Sequence, residues 1–263
     1  KRIFLDDIFS FVVLDGKKRS MYMSFFSGAK EKYLFTTKKF YYDVLKIFYS
    51  TIFLDSNEES KISEIKKFLN IKKIKFSDNL LNVLKNRTFK KEITNRLLIP
   101  NKNNILLHFD EKWLDGSYIN SYKSIEPDDQ SFEKFTHMIV DKSEKNLIIS
   151  TGSIQNKIIH NYKSTMMMVD DFYYKKKYKD KNIILFDNLS FLQLEYLISK
   201  SDLIISCHGA VTHLASSWDK PLIDIIELNK EKFYKKWSNH IRGYKSLYRD
   251  DFEKLSNNII NKL

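Results

Sequence analysis

One cysteine, Cys207, is all that this chain of 263 residues contains. A single thiol excludes an intrachain disulfide and any zinc cluster built on cysteines. A reducing, cytoplasmic compartment is therefore expected. Glycine and proline are scarce, at 6 and 3 residues, which excludes collagen-like and low-complexity chains. No apolar run approaches the roughly 20 residues that a membrane-spanning helix needs. The start, Lys1-Arg2-Ile3-Phe4-Leu5-Asp6-Asp7, is too charged to read as a signal peptide. There is no Walker-type phosphate loop, no His-Glu-x-x-His and no Asp-x-Asp pair placed for a metal. Asp128-Asp129 and Asp170-Asp171 are adjacent carboxylates, which on a helix point to different faces. No metal is expected.

What is present is a hydrophobic fraction of 43%, enough to build one large or two small cores. The formal net charge is +12. Such an excess favours a polyanionic partner: nucleic acid, an anionic membrane or a phosphorylated glycan. The basic residues are spread along the chain and no recognition motif gathers them, which argues against nucleic acid. Lys175-Lys176-Lys177, beside Tyr173, Tyr174 and Tyr178, reads as a solvated face or as a patch for anionic headgroups.

Hydrophobic periodicity predicts strands over 9–14, 33–35, 105–109, 146–152, 183–186, 203–206 and 222–226. Helices are predicted around Met21 to Phe26 and over 40–53, 59–69, 128–142, 190–199, 211–218 and 251–263. Ser190 with Gln193 forms a capping box. Strands alternating with helices imply an α/β fold, with parallel sheets covered on both faces. The segment 95–103, around Pro100, is taken as a linker between domains 1–100 and 101–263.

The most informative block is Ser206-Cys207-His208-Gly209-Ala210-Val211-Thr212-His213-Leu214-Ala215. It follows an apolar strand and precedes Pro221 and a second one. A small-residue turn at the carboxyl end of a parallel strand is where open α/β sheets bind ligands. The helix N-terminus there favours a phosphate. The block resembles the donor-sugar motif of the heptosyltransferases, bacterial GT-B enzymes of lipopolysaccharide synthesis, with His213-Leu214-Ala215 and Pro221 in the family's places. Other segments resemble the family in the same order: Phe9 to Ser20, Ser27-Gly28-Ala29-Lys30, Ile105 to Trp113 with its Lys112-Trp113, Ile148 to Gly152, and Leu189 to Ile198.

The resemblance implies two Rossmann-like domains, the N-terminal one incomplete, with helix 251–263 packing back towards it. Lys112, Thr151, Gly152, His208, Gly209, Ala210, Thr212 and His213 would bind the donor. Lys17, Lys18 and Arg19 would hold an anionic acceptor, as an anion clamp or simply as a solvated charge run. His208 is read either as a phosphate contact or acid/base group, or as a turn histidine that caps the helix. Cys207, with no base beside it in sequence, reads as a small buried hydrophobe. Anchored on His213, the family's acidic residue falls on His208, its hydroxyl residue on Gly209 and its glycine on Ala210. Family members begin with a strand and a Gly-Asp loop that carries the proposed base. Its absence here implies a fragment lacking its first β/α unit, with the base upstream of Lys1, or a reduced relative.

The function expected is a metal-independent, inverting glycosyltransferase that needs no cofactor beyond its nucleotide-sugar, ADP-heptose or similar. The acceptor would be a lipopolysaccharide or another cell-surface glycan, or a glycolipid, reached at the inner face of the cytoplasmic membrane. The alternatives are a non-catalytic nucleotide- or glycan-binding relative, or a GT-B transferase that uses another nucleotide-sugar.

Overall fold

The computed structural model describes residues 9–14, 17–36, 38–53, 60–74, 88–114, 122–154 and 156–263. The chain divides into two compact units, Lys1–Lys75 and Phe76–Leu263.

The first unit alternates β1 (Ser10–Val13), α1 (Lys18–Phe25), β2 (Glu31–Thr36), α2 (Lys39–Leu45), β3 (Ser50–Phe53) and α3 (Lys61–Ile71). The strands form a parallel sheet in the order β1-β2-β3. Val13, Leu34 and Tyr49 form its core. Ser60 caps α3 by accepting from the Ser63 amide. The helix predicted over 40–53 stops at Leu45, and Ser50–Phe53 is a strand paired with β2. The β-branched Thr51-Ile52 favours that outcome. The apolar residues Phe40, Val44, Ile47 and Phe48, which made the helix plausible, are exposed.

The second unit opens with α4 (Lys91–Arg96) and continues β4 (Asn104–Phe109), α5 (Asp129–Ser143), β5 (Asn146–Thr151), α6 (Lys157–Ser164), β6 (Met167–Asp170), β7 (Tyr173–Tyr178), β8 (Lys181–Phe186), α7 (Phe191–Lys200), β9 (Leu203–Cys207), α8 (Ala210–Ser217), β10 (Leu222–Ile226), α9 (Glu231–Ser238), β11 (Tyr244–Tyr248) and α10 (Phe252–Ile260). Its sheet runs β11-β10-β9-β4-β5-β8-β7-β6. The first six in that order are parallel, and β7 and β6 add an antiparallel hairpin at one edge. The parallel part has the doubly wound order, and the direction in which successive strands are added reverses between β4 and β9.

Both faces are covered, as the alternation predicted. On one face Leu107, Phe109, Ile149 and Ile205 pack with Phe132 and Phe135 of α5. On the other Leu106, Ile148, Ile204 and Leu222 pack with Leu197 of α7 and Val211 of α8. The capping box of Ser190 and Gln193 forms at the start of α7. Part of the patch around Lys175-Lys176-Lys177 is engaged within the fold, while Lys177 is exposed. Tyr173 is buried, and Lys176 donates to Glu133 at 2.6 Å over the Tyr162 ring.

The division between units falls before residue 100. Leu97 is 1% exposed and sits in the core of the second unit with Leu106 and Ile204. The Tyr173 hydroxyl donates to the Leu98 carbonyl at 3.1 Å. The segment taken as a linker is therefore an anchored arm. The closing helix α10, expected to reach back towards the first domain, packs on α5 and β11 of its own unit. Phe252 meets Phe135 edge-on at 5.4 Å, and Leu255 and Ile259 are fully buried. Its apolar stripe is thereby satisfied locally.

Leu97→Ala should destabilise the second unit by about 2–5 kcal/mol, the range for truncating a buried leucine. Leu98→Ala, at a position 63% exposed, should stay within about 0.5 kcal/mol. Urea unfolding of the two variants checks this, and equal costs would mean the arm is not anchored through Leu97.

Candidate functional site

In a doubly wound sheet, neighbouring strands whose connections leave in opposite directions open a crevice at their carboxyl ends. Here those strands are β4 and β9. A polar row crosses the sheet at that end. By register, Ser150 lies beside His108, His108 beside Ser206, and Ser206 beside Asp224. All four are buried. They share the face on which α8 packs, directly after the apolar positions Ile148, Leu106, Ile204 and Leu222. Buried polar side chains are costly unless paired, and most of these are. His108 Nδ1 bonds Ser150 Oγ at 2.9 Å, and its Nε2 lies 3.5 Å from Asp110 Oδ2.

After β4 the chain makes a single 3₁₀ turn, Glu111–Trp113, capped by Asp110, which accepts from the Lys112 amide at 3.2 Å. The Lys112 ammonium is hydrogen-bonded to the same carboxylate. Burial alone pulls the Asp110 carboxyl up, but the hydrogen bonds and charges of His108 and Lys112 outweigh it and hold the carboxyl below its usual range. Burial likewise pulls Lys112 down, and Asp110 and Glu111 outweigh it, so the ammonium is held above its usual range. Lys112 is thus a fixed cation. Trp113 anchors the turn by donating to the His108 carbonyl at 2.9 Å.

The turn after β9 meets this cation. A methyl group at Gly209 would lie 3.1 Å from Lys112 Nζ and 3.2 Å from its Cε. Glycine there lets the lysine lie across the N-terminus of α8, whose first amides have no partner within the helix. Gly152 plays a matching part after β5: a methyl group there would lie 2.8 Å from Glu111 Oε2 and 3.2 Å from Asp110 Cβ. A side chain at position 152 would have to displace the Glu111 carboxylate and crowd Asp110, so glycine suits the close approach of the Asp110-Glu111 turn.

Asp224 organises the α8 turn from beneath. It is fully buried and its Oδ2 bonds His208 Nδ1 at 2.6 Å and accepts from the Tyr244 hydroxyl at 2.8 Å. Its Oδ1 accepts from Thr212 at 2.9 Å, and Thr212 Oγ1 in turn accepts from the Gly209 amide at 3.2 Å. The His208 ring sits 4.3 Å from the Tyr234 ring and 5.7 Å from that of His213. Burial, then the neighbouring His208 and His240, push the His213 imidazole below its usual value.

Lys112, His208, Gly209, Ala210 and Thr212 are therefore brought to one crevice, with His213 one turn along α8. Thr212 points inward and is buried, so its hydroxyl shapes the turn. Thr151 also faces the protein: it donates to Asp187 at 2.7 Å and accepts from the Asn188 amide at 2.9 Å, tying the end of β5 to the end of β8. Gly152 lines a cavity of about 450 Å³ with Arg96, Phe172, Asp187 and Gln193. Cys207 is buried, and burial drives its thiol far above the usual range, which suits a packing role. Lys17, Lys18 and Arg19 are exposed at the start of α1 in the first unit.

Sequence reading missed four contributors. His108, Asp110 and Asp224 lie in or next to apolar strands, where a single polar letter carries no signal of its neighbours. Arg249, buried after β11, donates to the carbonyls of Lys112 at 2.7 Å and Lys123 at 3.0 Å and pairs with Glu227 at 3.3 Å. Among the described residues no group of His, Cys, Asp and Glu is placed to hold a metal ion. Nor is any described helix long and apolar enough to cross a membrane.

No protein-family model matches the sequence, and no curated protein matches it. Solved structures do. The Escherichia coli heptosyltransferase WaaC, bound to ADP-2-deoxy-2-fluoro heptose, superposes with a TM-score of 0.59 at 7% identity, over 99% of this chain and 74% of that one. The fold is GT-B. The E. coli ADP-heptose lipopolysaccharide heptosyltransferase II gives 0.56 at 10% identity, over 97% of this chain and 75% of that one. A family 9 glycosyltransferase from Veillonella parvula gives 0.54 at 11% identity, over 94% and 65%. The GT-B likeness thus spans nearly the whole chain, in keeping with the resemblance carried by the motifs.

The depressed Asp110 carboxyl makes a pH prediction. A carboxylate stabilised in the folded state adds stability above its unfolded value, about 3.9, and loses it as pH falls through the lower folded value. Asp110→Asn should cost about 1–3 kcal/mol at pH 7, and the gap to the parent should narrow below about pH 4. Urea unfolding from pH 7 to pH 3 measures it; a gap that stays constant would mean that ionised Asp110 adds no stability.

Proposed function

We propose that this chain is a glycosyltransferase that takes a sugar from a nucleotide-sugar donor. The observation that carries the reading is the Lys112 ammonium lying across Gly209 at the N-terminus of α8, at the reversal point of the GT-B sheet. A fixed cation and a helix N-terminus together favour a diphosphate. The acceptor hydroxyl oxygen attacks the anomeric carbon while the bond from that carbon to the phosphate oxygen breaks. The electron pair leaves with the nucleoside diphosphate, and the hydroxyl proton passes to a base. Lys112 and the first amides of α8 stabilise the charge that develops on the departing diphosphate. The cavity bordered by Gly152, Arg96 and Gln193 meets the Asp110-Glu111 turn through Gly152 and has room for part of the nucleoside.

The neighbours WaaC with ADP and WaaC with an ADP-heptose analogue support an ADP-heptose-like donor, and the transfer proposed is inverting and metal-independent. His208, Gly209 and Ala210 depart from that family's motif, and another nucleotide-sugar is the alternative they leave open. For the acceptor we propose an anionic, lipid-linked glycan, met at the cytoplasmic face of a membrane. The surface of the first unit supports this. The helix α1 carries exposed Lys18 and Arg19 in its first turn and ends at Phe25 and Phe26, which are 50% and 79% exposed, near Phe48. Exposed aromatic rings beside basic residues suit an anionic lipid interface.

Thermal unfolding with ADP, UDP, GDP, CMP and ADP-heptose, each with and without a divalent metal, tests the donor reading. At least one should raise the melting temperature without metal, and Lys112→Ala should weaken that ligand roughly ten- to hundredfold, the loss of a charged hydrogen bond. If no nucleotide raises it, the reading falls. Co-sedimentation tests the acceptor side. Phosphatidylglycerol vesicles should retain the chain in low salt, phosphatidylcholine vesicles should not, and Phe26→Ser with Ile47→Ser should cut retention several-fold. Retention unchanged by that pair would remove the lipid surface.

A further inference from the structure

Asp224 sits in the middle of strand β10, in the sequence Leu222-Ile223-Asp224-Ile225-Ile226, where every neighbour is apolar. A fully buried carboxylate in such a strand needs a full set of donors. It has three, from three elements. The Thr212 hydroxyl reaches Oδ1 from α8, and the Tyr244 hydroxyl reaches Oδ2 from β11. The third is His208 Nδ1, from the turn after β9, at 2.6 Å. The two hydroxyls donate to this carboxylate, so the imidazole must meet it with a proton on Nδ1. In the neutral ring Nε2 then carries the lone pair. The ring is also gripped by the Tyr234 ring at 4.3 Å, and a tenth of the side chain surface stays accessible.

We propose that Asp224 is a positioning residue of the donor site: it fixes His208 as the Nδ1–H tautomer and so presents Nε2 as an acceptor for a hydroxyl of the transferred sugar. This rests on the reading of the crevice as a nucleotide-sugar site. The division of labour follows from the chemistry. Lys112 and the α8 amides are donors, and serve the diphosphate. A sugar hydroxyl next to them needs an acceptor, and Nε2 supplies one whose direction is set by a buried partner rather than by solvent.

The test uses the full chain labelled with ¹⁵N-histidine. Long-range ¹H–¹⁵N spectra at pH 8 report the tautomer of each of the six histidines, and His208→Gln assigns the signal. The expected result is Nδ1–H with Nε2 unprotonated. A protonated Nε2, in either the other tautomer or an imidazolium, overturns the proposal. Asp224→Val removes the acceptor and should move His208 towards the Nε2–H tautomer. Tyr244→Phe removes another bond to Asp224 and should leave the tautomer unchanged, which separates positioning from a general structural role.

The ligands are ADP-heptose and UDP-glucose, with ADP and UDP as sugar-free controls. Asp224→Asn, whose amide oxygen still accepts from Thr212 and so keeps the turn at Gly209, should weaken the bound nucleotide-sugar about tenfold and its sugar-free control by less than about threefold, as loss of one sugar hydrogen bond requires. Equal weakening of both, or of neither, overturns the inference while the glycosyltransferase reading stands. A wild-type chain that binds none of the four overturns the inference on the sugar, the glycosyltransferase reading falls with it only when GDP and CMP fail as well, and the Nδ1–H assignment is then decided by the spectrum alone.

Discussion

The constraint on which the site depends is the reversal of strand order between β4 and β9. Two parallel strands lie side by side, and the connections that leave them diverge, which opens a crevice at their carboxyl ends. The residues that follow the two strands are then forced to meet. Lys112 comes from one and Gly209 from the other. The contact is close because Gly209 has no side chain and because Asp110 pins the lysine down. Gly152 lets the Asp110 turn settle against the end of β5 in the same way.

This arrangement is held from below by a polar layer in an otherwise apolar sheet. Ser150, His108, Ser206 and Asp224 follow one another across four strands at one register. The same face, one pair of residues earlier on each strand, is uniformly aliphatic. Burying Asp224 and His108 within this layer, and Asp110 just beyond it, carries a desolvation cost that hydrophobic residues would not. Each carboxylate offsets it with several partners: Asp110 with His108, the Lys112 amide and the Lys112 ammonium, Asp224 with His208, Thr212 and Tyr244. A layer of this kind specifies geometry more than it adds stability. It keeps the cation, the helix N-terminus and the imidazole in fixed relation before any ligand arrives, which is what electrostatic stabilisation of a leaving group requires.

Much of the second unit was legible because its signals are local. The aliphatic runs at Ile105, Leu147, Ile183, Ile204 and Leu222 announce buried strands, and the Ser190 capping box announces α7. The hairpin β6–β7 and the strand β11 were not legible, since Tyr173–Tyr178 has three consecutive lysines between tyrosines and Tyr244–Tyr248 mixes polar and apolar residues without alternation, so that both also read as surface. The helix expected over 40–53 failed for a related reason. Its apolar residues have helical spacing, yet they lie on the surface, and the strand within it is held by pairing with β2. The domain boundary was misjudged because Pro100 and a run of asparagines look like a linker, while the burial of Leu97 depends on side chains far along the chain.

The sequence by itself determined the order of strands and helices, the glycine turn after β9 and the presence of a basic residue after β4, because periodicity, caps and turn residues act over a few positions. Which of these residues form a site was decided only by the tertiary structure. Lys112 meets Gly209, and His208 meets Asp224, across strands whose adjacency comes from the winding of the sheet. No local pattern of letters encodes which strands become neighbours, and a hydrogen bond between them exists only once they are.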